Sequence, residues 1–206
     1  MKYPNYNKGF TLVEMLISLS IFAIITAFAT ANFNVARQGD EVRLASQLVA
    51  SSLRRAQTSA TAGETTRFCR GGSNDLKVCP TGLDSECSGG GVCVREVPTG
   101  YGQHFTLSGA DTRKVIFFAD IDGDKAYDVG EEIRRDGISP GAFVSISTMS
   151  PLAGDNLDVV FVPPKPTAYF NGSTADATAS LTLRHSTTAA TRTVTINRIS
   201  GQISAD

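Results

Sequence analysis

The sequence predicts an α+β fold, with a long N-terminal helix packed against antiparallel β-sheets of a C-terminal globular domain. Three observations predict it. Phe10–Ala31 is a run of apolar or small residues broken only by Glu14. Asn32–Ala62 holds no proline, and its residues Val42, Ala45, Val49, Leu53, Ala56 and Ala60 recur at spacings of three and four, which marks one face of a helix. Beyond Gly63 the period falls to two, with short apolar runs separated by turn residues.

The 206 residues amount to one ordinary domain plus an extension, and 41% hydrophobic residues are enough to bury a core. A net charge of −1 argues against a nucleic-acid footprint over the whole chain. Tryptophan is absent and aromatics are few, so little suggests an aromatic binding groove.

As a helix, Phe10–Ala31 is about 33 Å long, enough to cross a bilayer. Lys2 and Lys8 precede it. The short leader is therefore expected to stay cytoplasmic, with the rest exported on a single inner-membrane span. Three readings compete: a cleaved secretory signal ending at Ala29-Thr30-Ala31, a plain anchor, and a leader cut after Gly9. Glu14 separates them. A carboxylate early in an apolar core is costly and needs a partner, which neither a simple signal nor a simple anchor provides.

The stretch Lys8-Gly9-Phe10-Thr11-Leu12-Val13-Glu14 resembles the type IV pilin and pseudopilin signature. The resemblance implies cleavage after Gly9 by a prepilin peptidase, N-methylation of Phe10, and Glu14 as the fifth residue of the mature chain. It implies as partners that peptidase, other pilin or pseudopilin subunits, an inner-membrane assembly platform and the inner membrane. The destination is then an extracellular pilus or a periplasmic pseudopilus. In a filament of packed apolar helices, the ammonium of a neighbour's Phe10 would neutralise Glu14 and set the register between subunits. The expected organisation is a leader at 1–9, a transmembrane and filament-core helix at 10–31, an amphipathic helix at 32–62, and a β-rich domain at 63–206. Gly39 is the one weak point in the helix, and two separate helices are the alternative.

The expected strands are Thr65–Cys69, Val92–Val97, His104–Leu107, Val115–Ala119, Phe143–Ser147, Leu157–Val162, Ala179–Arg184, Arg192–Asn197 and Ile199–Ile203. Residues 171–180 and 186–193 read as surface loops. LASQLVASSLRRAQTSA, VIFFADIDGDKAYDVGEEIRR, VVFVPPKPTAYFNG, SLTLRH and RTVTINRISGQIS together resemble the GspH/FimT group of minor pilins. The second of these stretches resembles that group's strand, acidic turn and strand.

Within that turn, Asp120, Asp122, Asp124, Asp128 and Glu131 occupy positions one, three, five, nine and twelve of a twelve-residue loop, the spacing of an EF-hand calcium loop. Lys125 stands at position six, where such loops carry glycine, and the flanks read as strands. Calcium binding therefore competes with a solvated hairpin turn. No other cofactor is expected.

The cysteines Cys69, Cys79, Cys87 and Cys93 all fall in a glycine-rich insert at 69–93. No close C-x-x-C pair favours zinc, and export to an oxidising space favours two disulfides. The first-choice pairing is Cys69–Cys93 with Cys79–Cys87 nested inside, and the other two pairings stay open.

His104 and His185 are far apart and read as strand-face residues. No nucleophile–histidine arrangement is legible, so no enzymatic activity and no catalytic residue is expected. Some FimT-like pilins bind DNA through a basic Gly-Arg-x-Arg tail. Here the tail is Gly201-Gln202-Ile203-Ser204, and Arg184, His185, Arg192 and Arg198 are sparse, which weighs against DNA as a partner. The sequence thus points to a minor pilin or pseudopilin that inserts into, primes or caps a type IV pilus or type II secretion pseudopilus. A DNA-binding tip pilin and a major pilin are the alternatives.

Overall fold

The computed structural model describes residues 9, 11–139, 143–164 and 167–206. The chain divides into two compact units, Met1–Gly39 and Asp40–Asp206. Helix α1 covers Leu12–Ala62.

In the first unit, Thr11 begins the helix. Its hydroxyl accepts a hydrogen bond from the Glu14 N–H at 3.3 Å, satisfying one of the helix's unpaired N-terminal donors. Leu12–Thr30 has a mean hydropathy of 2.3 and is long and apolar enough to cross a membrane. Its few hydroxyls are satisfied within the helix. Ser18 donates to the Glu14 carbonyl and Ser20 to Leu16, both at 2.8 Å, and Thr26 donates to Phe22 at 2.7 Å. The apolar side chains from Leu12 to Phe28 are exposed.

In the second unit, all six residues of the expected apolar face of α1 are buried. The helix stops at Gly63, whose φ of 59° suits glycine. The Gly63 N–H bonds to the Ala60 carbonyl at 3.1 Å and the Glu64 N–H to Ser59 at 3.0 Å, a Schellman closure.

Eleven strands follow among the described residues: β1 Thr66–Arg70, β2 Val92–Glu96, β3 Gly100–Thr106, β4 Lys114–Asp120, β5 Glu132–Gly137, β6 Val144–Ser150, β7 Asn156–Phe161, β8 Ala168–Phe170, β9 Thr178–His185, β10 Thr191–Asn197 and β11 Ile203–Ala205. They form a β1-β2 ribbon, a five-stranded sheet in the order β5-β4-β3-β7-β8, and a four-stranded sheet in the order β11-β10-β9-β6. Every pairing is antiparallel.

The amphipathic part of α1 touches both sheets. Gln103 on β3 donates to the Ser52 carbonyl at 2.9 Å, and the Arg55 guanidinium lies 5.1 Å from the centre of the Phe117 ring on β4. Toward the other sheet, Arg54 donates to the Ile203 carbonyl at 3.0 Å and Gln57 to Gly201 at 3.1 Å. The core between them holds Leu53, Phe105, Leu157, Phe161, Leu181, Leu183 and Ile196.

Two strands lie outside the period-two reading. β5 is the charged edge segment EIRRDG, though the family resemblance does imply a strand there, and β8 is only three residues long. β3 starts at Gly100, four residues before the expected His104. Glycine reads as a turn, yet here it is needed within the strand. A Cβ on Gly102 would lie 2.5 Å from Cζ of Phe118. Ile199 falls in a turn, and the last strand begins only at Ile203.

The disulfides correct the expected nesting. Cys69 bonds to Cys87 and Cys79 to Cys93, so the two bridges cross in sequence. Cys69 and Cys93 are directly opposed on β1 and β2, as their positions at strand ends suggest. However, the insert folds back along β1. The Cys69 N–H donates to the Lys77 carbonyl at 2.8 Å and the Cys79 N–H to Arg67 at 3.0 Å. A 3₁₀ turn at Asp84–Glu86 leads directly into Cys87, and its Asp84 carboxylate accepts from the Cys93 N–H at 2.8 Å. These contacts bring a loop cysteine to each strand cysteine.

Candidate functional site

Two regions carry the sequence-derived site residues. The first is the N-terminal segment. Gly9 is exposed, and a Cβ on it would meet no atom within 4 Å. Packing among the described residues therefore does not demand glycine there. Phe10 and leader residues 1–8 lie outside the described residues. Glu14 is exposed in the first turn of α1. Its place three residues after Thr11 follows the T-x-x-E capping pattern, a signal legible in sequence that the reading above did not use.

The second region is the acidic loop between β4 and β5. It is anchored at both ends. Glu131 is buried, and its two oxygens accept from the Ile121 N–H at 2.8 Å and the Asp128 N–H at 3.2 Å. Asp120, at the end of β4, is wholly buried and accepts from the Gly123 N–H at 2.8 Å. Asp122 and Asp124 accept from the N–H groups two residues on, Asp124 at 3.1 Å and Ala126 at 2.8 Å. Lys125 adopts a φ of 66°, the left-handed turn for which calcium loops use glycine.

The structure brings Asp120, Asp122 and Asp124 together. One carboxylate oxygen from each lies within 4.8 Å of those from the other two. Asp128 and Glu131 do not join this group, and Glu131 instead closes the loop. Burial pushes the Asp120 carboxyl up to about 6, opposed by the Gly123 and Lys125 N–H groups and reinforced by the charges of Asp122 and Asp124. Burial likewise pushes Glu131 up to about 7, opposed by the Ile121 and Asp128 N–H groups. Asp128 is raised by burial, then by Asp124, Asp122 and Asp158.

The loop folds onto the outer face of the five-stranded sheet. Tyr127 packs edge-on to Phe118 at 5.3 Å between ring centres and lies 4.6 Å from the His104 ring. His104 Nδ1 is 2.6 Å from Asp158 Oδ1, and the other Asp158 oxygen accepts from the Tyr127 N–H at 3.3 Å. The Gly172 N–H donates to the Lys125 carbonyl at 3.1 Å. Sequence reasoning missed the His104–Asp158 pair. The two residues are 54 apart in the chain and face each other only through the β3–β7 register, so no local pattern announces them.

The basic residues near the C-terminus do not converge. Arg184 sits opposite Thr191 and Arg192 opposite Leu183, so their side chains leave opposite faces of the sheet. His185 is buried, with Nε2 3.3 Å from a Glu41 oxygen.

Residues 4–30 match the family model described as the prokaryotic N-terminal methylation motif. No curated protein and no solved structure matches the chain. The motif supports a type IV pilin-like structural subunit. It implies processing by a prepilin peptidase and assembly with other pilin subunits, and the apolar helix fits membrane anchoring.

Proposed function

We propose that the chain is a minor pilin or pseudopilin of the GspH/FimT type, which inserts into, primes or caps a type IV pilus or a type II secretion pseudopilus. The observation that carries this reading is the methylation motif at residues 4–30 together with the apolar helix inside it, whose side chains from Leu12 to Phe28 are exposed. Such a surface needs lipid before assembly and neighbouring helices after it. The leader is residues 1–9, the peptidase cuts after Gly9, and Phe10 becomes the methylated terminus. Residues 10–31 form the membrane and filament-core helix, 32–62 the amphipathic helix, and 63–206 the exported domain with its stapled insert at 69–93.

The opposed directions of Arg184 and Arg192, and the burial of His185, favour this structural role over DNA capture, which needs several cations on one face. The test has two measurements. The mature protein's N-terminal mass should begin at methylated Phe10, whereas a start at Asn32 would mark a secretory signal. In sheared filaments the chain should be scarce beside a principal subunit, while dominance there would make it the major pilin.

A further inference from the structure

We propose that Asp120, Asp122 and Asp124 form a binding site for a divalent cation of the calcium class. Two independent observations carry this. The first is the convergence of the three carboxylates, with one oxygen from each inside a 4.8 Å span. The second is Asp120 itself. It is 0% exposed, and while Oδ1 is hydrogen-bonded to the Gly123 N–H, Oδ2 is shut off from solvent with no hydrogen-bond partner.

A buried carboxylate oxygen left without a donor is costly, and a cation is one of the few groups that can satisfy it. Among the described residues, no lysine, arginine or histidine nitrogen comes within 4.0 Å of these three carboxylates. Lys125, the loop's own cation, is engaged elsewhere. Its ammonium donates to the Gly123 carbonyl at 2.9 Å and lies 5.3 Å from the centre of the Tyr169 ring. Asp122 and Asp124 each hold a backbone N–H with Oδ1, so each keeps Oδ2 for a ligand bond.

The ligand chemistry selects the ion. Three carboxylates at alternate positions of a turn are hard oxygen donors, suited to calcium or magnesium rather than to a thiophilic metal. Calcium bonds oxygen at about 2.3–2.6 Å in a flexible shell and tolerates a span of about 5 Å across it. Magnesium needs a tighter octahedron, at about 2.0–2.1 Å per bond. The site differs from an EF-hand in using only the first half of the loop. Glu131 serves as the buried clasp that holds the loop closed. Asp158 on β7 and Gly172 after β8 already hold the loop beside the three aspartates, so an ion there would stiffen a loop that is tied down at both places.

The test uses the full chain in detergent micelles, with calcium, magnesium or terbium as the only added probe. Calcium at millimolar concentration should raise the melting temperature above that in chelator, as any ligand selective for the folded state does. Terbium should show saturable tyrosine-sensitised emission that calcium displaces. The double variant Asp122→Asn/Asp124→Asn keeps both oxygen acceptors for the backbone, so the loop should still fold. It should weaken the calcium affinity at least about tenfold through the loss of two ligand charges. No thermal shift and no saturable terbium signal in the wild type would overturn the site. A calcium shift undiminished in the double variant would move the ion elsewhere, and an equal shift with magnesium would overturn the assignment to calcium.

Discussion

The Gln103 side chain, itself buried, donates to the Ser52 carbonyl at 2.9 Å, tying β3 to the amphipathic part of α1. The other side-chain atom, Gln103 Oε1, is buried with no hydrogen-bond partner. The residue therefore gains one bond and carries one desolvated acceptor. Gln103→Ala should destabilise the fold by roughly 2–4 kcal/mol, because it opens a cavity beneath the helix. Gln103→Met fills that space and removes the unpaired oxygen, so its cost should stay within about 1 kcal/mol. Denaturant unfolding of both variants checks this, and equal losses would mean that the hydrogen bond outweighs the packing.

A second tie fastens the end of the same helix. The Tyr101 hydroxyl donates to the Glu64 carbonyl at 2.8 Å, just past the Gly63 turn. Burial, with a smaller contribution from the Glu64 charge, pushes the Tyr101 phenol up to about 12. The unfolded chain ionises near 10, so between about 10 and 12 the folded state holds the extra proton. Stability should therefore fall as pH rises through that window. Ultraviolet titration of the folded protein should show a phenol step near 12, and Tyr101→Phe should delete it while the raised step of Tyr127 remains. A step near 12 that survives in Tyr101→Phe would assign it to another tyrosine.

The crossed disulfides make a connectivity prediction. Cys87→Ser should leave Cys69 as the free thiol, identified by alkylation and peptide mass, whereas a modified Cys79 would restore the nested pairing. Removing the Cys79–Cys93 bridge as Cys79→Ser/Cys93→Ser should cost about 2–4 kcal/mol in unfolding free energy, since a closed loop of this size restricts the unfolded chain.

The role proposed for Glu14 predicts a defect in assembly alone. Glu14→Gln keeps a similar shape and makes the apolar helix easier to insert, so cleavage after Gly9 and membrane insertion should be unchanged. Recovery in filaments should fall, because the ammonium of a neighbour's Phe10 would be buried without its counter-charge, at roughly 3–5 kcal/mol per broken pair. Filament incorporation at the wild-type level would overturn the role of the Glu14 charge in setting the register.

The sequence by itself determined the helix, its apolar face and its membrane-competent start, because each is a local pattern. Spacings of three and four marked Val42 through Ala60, and all six face residues are buried. The motif around Gly9 and Glu14 is likewise contiguous text. The apolar strands β4 and β7 were legible for the same reason. Only the tertiary structure decided the rest, because the deciding partners are distant in the chain. β5 is a charged edge strand whose partner, not its composition, makes it a strand. The cysteine partners depend on how residues 76–79 fold back along β1. His104 meets Asp158 through sheet register. Loop spacing placed five acidic residues on an equal footing. Folding buried Asp120 and Glu131, turned Glu131 onto the backbone, and left three aspartates facing one another. Burial depends on what covers a residue, and this loop is held against Asp158 and Gly172, which lie far along the chain.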